Sequence, residues 1–159
     1  KLQKKGTECF DAIVAHFGTE ILDAKGELDR EKLADIVFSD KVELSVLNSI
    51  VHPAVKEEIY KKIAKEERKN TNLFILESAI LIEDHYEEIC DELWYIYVED
   101  SIRKKRLIYA RGYDSKKVDD IIAAQLPKSM FMKHCDRVID NSNTFEETKI
   151  QLDKIVADL

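Results

Sequence analysis

The hydrophobic period of this chain changes part-way along it, and that change limits what it can fold into. Up to about residue 70, apolar residues recur at helical spacing. Beyond that point, short unbroken apolar runs alternate with helical patterns. Cys9, Ile13, Val14 and Phe17 place one helix over Glu8 to Phe17, stopped by Gly18. Asp29 is positioned to cap a helix to about Phe38, and Asp40 to cap one carrying Val42, Leu44, Val46, Leu47, Ile50 and Val51. His52-Pro53 predicts a break, because the residue before proline avoids the helical region. A further helix is expected from Ala54 to about Lys69, with Val55, Ile59 and Ile63 on one face.

Strand signals then begin. Leu73 to Glu77 and Leu93 to Val98 are apolar runs of the buried parallel type, and Arg137 to Asn141 is a weaker third. Helices are expected over about Ser101 to Ala110 and Lys116 to Gln125, and Thr144 with Glu147 forms a capping box for a last helix to about Ala157. Strand–helix–strand alternation implies an α/β fold with a parallel sheet, onto which the helical first half is grafted.

Composition excludes several classes. The 159 residues are 45% hydrophobic and 36% charged, enough for a core without staples. The net charge of −7 argues against a general nucleic-acid or membrane-surface binder. A local basic stretch (Arg103, Lys104, Lys105, Arg106, Arg111) leaves room for an anion site. Cys9, Cys90 and Cys135 form no CxxC pair, which fits a reducing cytoplasm. No apolar run approaches the roughly 20 residues of a membrane span. His134-Cys135 suggests metal at first sight, but His16, His52 and His85 supply no ligand spacing, so no metal site is expected.

Ligands of open parallel sheets bind beyond the carboxyl ends of the strands. Glu77, Glu99, Asp100 and Asp140-Asn141 fall at such ends. Glu77 there either positions a metal or substrate hydroxyl or merely ends a strand. Arg106 and Arg111 either fork around phosphates or are solvated helix-surface residues. Arg111-Gly112-Tyr113-Asp114 has the look of a mobile turn, as a lid needs. His52 reads as a structural histidine, and Trp94, Tyr95 and Tyr97 as packing rather than base-stacking residues. The glycines are Gly6, Gly18, Gly26 and Gly112, and none is placed for a G-x-x-x-x-G-K-[ST] phosphate loop.

Several stretches, in order, resemble the dephospho-coenzyme A kinases: Phe17 to Asp23, Gly26 to Arg30 with Leu33, Phe38 to Asp40, Ile50 to Pro53, Leu76 to Glu83, Arg106, Arg111 to Tyr113, Ala123 to Pro127, and Cys135 to Ser142. Ala79 stands where many relatives have proline, which leaves that loop less rigid. The resemblance implies a P-loop kinase fold: a parallel-sheet nucleotide core whose N-terminal strands are missing here, a helical substrate subdomain and a helical lid. Its parts would be residues 1–70 for the substrate region, 71–99 and 135–159 for the partial core, and 100–134 for the lid. It implies ATP, with Mg²⁺, and dephospho-coenzyme A as partners in a cytoplasmic enzyme, a monomer or weak homo-oligomer without nucleic-acid or membrane partners. The reaction implied is phosphorylation of the ribose 3′-hydroxyl, the last step of coenzyme A synthesis.

Carried over by position, Arg106 and Arg111 become catalytic lid arginines on the ATP phosphates. Asn141 lies near the adenine, and Arg30 and His52 border the dephospho-coenzyme A pocket. Glu77 takes the place of a strand-end carboxylate that acts through Mg²⁺. The family's phosphate loop lysine and its aspartate base have no counterpart in this sequence, so the chain is expected to start downstream of them and, alone, to be unstable and inactive. The alternatives are another P-loop kinase acting on a nucleoside or nucleotide, and a non-enzymatic helical interaction module.

Overall fold

A computed structural model describes residues 2–159, which divide into two compact units, one running to Glu77 and the other from Ser78 to Leu159. In the first unit, α1 (Glu8–Phe17) starts where Thr7 Oγ accepts the Phe10 N–H at 3.2 Å. It stops at Gly18, whose φ of 81° and ψ of −178° only glycine adopts without strain. A tight turn follows, in which Asp23 Oδ1 accepts the N–H groups of Lys25 at 2.8 Å and Glu27 at 3.0 Å. Those bonds hold the Asp23 carboxyl below its ordinary range. Asp29 caps α2 (Arg30–Ser39) through the N–H groups of Glu31 and Lys32. Asp40 caps α3 (Lys41–Glu67) through the Val42 N–H at 2.7 Å.

The core of this unit is Cys9, Ile13, Phe17, Ile21, Leu33 and Val37, flanked by residues of α3 that include Leu44, Leu47, Ile50, Val51 and Ala54. That packing explains a departure from the sequence expectation. The break at His52-Pro53 does not occur, and Pro53 lies inside one helix of 27 residues. An interior proline costs about 3 kcal/mol. Ile50, Val51 and Ala54, on both sides of it, are anchored on the same core, and bending the helix there would pull one set away.

The run Leu73 to Glu77 is a second departure, since it has no regular secondary structure. Leu73, Phe74 and Ile75 are 43%, 39% and 76% exposed. A strand exists only through a hydrogen-bonded neighbour, and no described residue pairs with this segment.

The second unit is built on two parallel strands, β1 (Trp94–Tyr97) and β2 (Arg137–Asp140), with Trp94 opposite Arg137 and Tyr97 opposite Asp140. The crossover between them runs through α4 (Asp100–Arg111), α5 (Ser115–Ala123) and α6 (Lys128–His134), and α7 (Phe145–Ala157) follows β2. Parallel pairing demands such a long connection. The short α6 was not foreseen. Its seven residues are too few to show an apolar face, and Pro127 before it is the one signal. Leu93, Val118 and Ile139 are buried here, at 3%, 1% and 0% exposure. Both parts of the expected capping box are present at Thr144 and Glu147. At the strand starts, Glu92 grips the Arg137 guanidinium with two bonds of 2.7 and 2.9 Å and accepts the Trp94 indole N–H at 2.7 Å. Among the described residues, no helix is long and apolar enough to cross a membrane.

Candidate functional site

Because β1 and β2 are parallel, their carboxyl ends emerge side by side. The ladder continues past the strands, with Asn141 N–H donating to Tyr97 O at 2.8 Å and Glu99 N–H to Ser142 Oγ at 2.9 Å. The loop after β2 is shaped by its own side chains. Ser142 N–H donates to Asp140 Oδ1 at 2.8 Å. Gln151 on α7 bonds both backbone groups of Asp140, accepting its N–H and donating to its carbonyl, each at 2.9 Å. The Ser142 hydroxyl, then its N–H, and more weakly the Lys128 charge, hold the Asp140 carboxyl below its ordinary range against a smaller opposing effect of burial. Lys128 Nζ also sits 3.8 Å above the Tyr97 ring. Tyr95 stacks on Phe131 with ring centroids 4.6 Å apart, so this aromatic set is engaged in packing.

Arg106 and Asn141 meet at this edge. The Arg106 guanidinium donates to the carbonyls of Asn141 at 2.7 Å and Asn143 at 3.4 Å, tying α4 to the loop after β2. Arg111 is different. It ends α4 just before Gly112, which takes the left-handed conformation with φ 64°. It is exposed, and its side chain makes no hydrogen bond or ion pair with any described residue. The turn after it is pinned: Asp114 caps α5 through the Lys117 N–H at 2.8 Å, Lys117 Nζ lies 4.1 Å over the Tyr113 ring, and Lys104 pairs with Asp119 at 2.6 Å. The Arg111 side chain is therefore an unengaged cation where α4 turns into α5.

The remaining candidates lie in the first unit. Arg30 is the exposed first residue of α2, and His52 is half-buried in α3. Glu77 is exposed in the irregular segment, not at a strand end as the sequence suggested. Sequence reasoning missed two residues of the strand-end site, Gln151 and Thr148. Each is a polar residue at helical spacing on the face of α7 that meets β2, and that spacing was the available signal.

The chain matches the sequence model of the dephospho-CoA kinase family (CoaE) over residues 1–147. It is 37% identical to the dephospho-CoA kinase of Geobacillus kaustophilus over 94% of this chain and 74% of that protein. With the Aquifex aeolicus dephospho-CoA kinase the identity is 38%, over 98% of this chain and 78% of the relative. With that of Symbiobacterium thermophilum it is 34% over 96% of this chain, which spans only 64% of that relative. The fold is shared with a Campylobacter jejuni dephospho-CoA kinase at a TM-score of 0.68 and 18% identity, over 98% of this chain and 78% of the other. A Thermus thermophilus crystal structure matches at a TM-score of 0.72 and 24% identity, over 94% of this chain and 74% of the other. A family match that runs from the helical unit through both strands, with relatives of one name across nearly the whole chain, leads to one conclusion: the chain belongs to the dephospho-CoA kinase family.

Proposed function

We propose that the protein carrying this chain transfers the γ-phosphate of ATP to the ribose 3′-hydroxyl of dephospho-CoA, yielding coenzyme A. The observation that carries this reading is the family match over residues 1–147. In the reaction, the 3′-oxygen forms a bond to the γ-phosphorus, the bond to the β–γ bridging oxygen breaks, and the hydroxyl proton passes to a base. Phosphoryl transfer needs little covalent help from protein, so positioning and charge stabilisation dominate.

Within this chain, Arg111 serves as the phosphate-clamping cation of the lid. Its exposure and lack of a protein partner support that role. Arg106 acts beside it and orders the nucleotide-side loop through its bonds to Asn141 and Asn143. Asn141 faces the adenine, while Arg30 and His52 border the dephospho-CoA pocket. The three-part division into substrate region (1–70), partial core (71–99 and 135–159) and lid (100–134) goes with these roles. This sequence contains no G-x-x-x-x-G-K-[ST] motif, and none of its residues is proposed as the base.

Mg²⁺ fits as an ion carried largely by the nucleotide, since it keeps waters and takes one or two carboxylates plus phosphate oxygens. The described residues contain no group of three or more His, Cys, Asp or Glu able to hold a metal unaided. Glu77 is the single carboxylate proposed to reach such an ion. The ion, when bound, would supply neutralisation of the phosphate charge. The net charge of −7 supports a protein, monomeric or weakly self-associating, without nucleic-acid or membrane partners, and the free thiols of Cys9, Cys90 and Cys135 support a cytoplasmic one.

The test is a coupled assay of ADP release by the full-length gene product. Turnover with dephospho-CoA, and little with nucleoside monophosphates, is expected. A preference for a nucleoside monophosphate overturns the assignment.

A further inference from the structure

Among the described residues, Thr148 is a buried hydroxyl side chain, 8% exposed, outside the apolar and aromatic types that make up the rest of the buried set. It lies on the face of α7 that packs on β2, together with Gln151 one turn later. An apolar residue would fill that position without need of a partner, so a buried hydroxyl there calls for an explanation.

Its oxygen has three acceptors in reach: Asn141 Oδ1 at 3.2 Å, Thr144 O at 3.3 Å and Asp140 O at 3.4 Å. A hydroxyl has one proton to donate. Thr144 O already receives the Thr148 N–H at 3.2 Å, and Asp140 O already receives Gln151 Nε2 at 2.9 Å. Asn141 Oδ1 has no other donor among the described residues. A backbone carbonyl can accept a second bond, but Asn141 Oδ1 is both the nearest of the three acceptors and the one that no other donor among the described residues reaches, which makes it the best place for the Thr148 proton. The other branch of that carboxamide, Nδ2, has two N–H donors and no acceptor among the described residues. Around it, the Asn141 backbone is fixed on both sides, its N–H on Tyr97 O and its carbonyl on Arg106.

We propose that Thr148 is a positioning residue for nucleotide binding: it holds the Asn141 carboxamide oxygen-inward, so that the amide NH₂ is presented as a fixed donor to an acceptor on the nucleotide. The inference rests on the reading of Asn141 as an adenine-side residue. Without the hydroxyl, the carboxamide is free to rotate or flip, and the nucleotide must order it on binding.

The test compares Thr148→Val, Thr148→Ser and Asn141→Ala in the full-length gene product by steady-state kinetics and thermal melting. Thr148→Val keeps the shape and loses the donor. It is expected to raise KM for ATP about three- to tenfold, the scale of one hydrogen bond. KM for dephospho-CoA and kcat stay as they were, and Thr148→Ser restores KM for ATP. The proposal is overturned if Thr148→Val leaves KM for ATP unchanged while Asn141→Ala raises it. It is equally overturned if both KM values rise together with a lower melting temperature in the Val and Ser variants alike, which is the mark of a packing role. If Asn141→Ala itself leaves KM for ATP unchanged, the adenine-side reading of Asn141 falls first, and the role of Thr148 with it.

Discussion

The two units of the chain are stabilised in different ways. The helical unit closes an apolar core across three helices, and each helix meets its own backbone needs through internal bonds and a side-chain cap. The strand-bearing unit has fewer buried apolar residues, and the carboxyl ends of its strands are organised by polar ties: Arg106, Ser142, Thr148 and Gln151. Its strands also keep apolar side chains in solvent, with Ile96 51% and Val138 38% exposed. A helix carries its hydrogen-bond partners within itself, whereas a strand borrows them. The difference teaches where stability and chemistry are separable. Changes in the helical core should act through folding, and changes at the strand ends and at Arg111 through function.

The largest effect that would sharpen this contrast is at Arg111. Arg111→Ala is expected to lower turnover with ATP and dephospho-CoA by about 10³-fold, the scale of losing a phosphate-clamping arginine. The melting temperature should not move, because the side chain has no protein partner among the described residues. Near-normal turnover would remove Arg111 from the mechanism, and a large drop in melting temperature would erase the contrast from the functional side.

The reverse experiment belongs in the helical unit. Ile13 has no exposed surface and lies in the centre of the core cluster. Ile13→Ala should destabilise the protein by about 2–5 kcal/mol, measured by denaturant unfolding. A loss under about 1 kcal/mol would mean that the core collapses around the cavity and does not unify that unit.

The same contrast governs what was legible in the sequence. Helix starts were read closely, since Asp29, Asp40 and Thr144 are local signals whose partners lie two or three residues away. The run Leu73 to Glu77 has the composition of a strand, but composition cannot supply a neighbouring strand, and the segment is irregular. Pro53 misled in the opposite sense, because its local preference yields to the anchoring of α3 on the core. At the candidate site, Arg106 and Asn141 were each singled out, but their bond spans 35 residues and no local pattern encodes it. Gln151 and Thr148 were missed although they share a helical face, because their partners lie before α7, at the end of β2, and the spacing alone does not say what that face meets.

A smaller effect probes those ties directly. Gln151→Ala removes both bonds to the Asp140 backbone and should cost about 1–2 kcal/mol. Unlike Ile13→Ala, it should also raise KM for ATP, because the loop carrying Asn141 begins at Asp140. Denaturant unfolding and steady-state kinetics on one preparation check both outcomes. A stability loss with unaltered KM would place Gln151 with the packing residues, and the polar ties would then differ from the helical core only in chemistry, not in consequence.

The smallest effect is a titration. The Asp140 carboxyl lies below its ordinary value of 3.8, with the Ser142 hydroxyl as the first cause and the Ser142 N–H as the second. A carboxyl depressed in the folded state adds stability that is present above about pH 3.8 and is lost as pH falls from there through the depressed value. Ser142→Ala removes the hydroxyl and leaves the 2.8 Å bond from the backbone N–H, so the Asp140 pKa should rise only part of the way to 3.8. It also strips the Glu99 N–H of its acceptor, loosening the junction between the ends of the two strands. A carboxyl-resolved NMR titration of the variant reads the shift. An Asp140 pKa that stays in place would show that the backbone turn alone holds the charge, and that the loop keeps its shape without its side chains. That outcome would weaken the contrast drawn between the units, since the strand end would then be as self-sufficient as a capped helix.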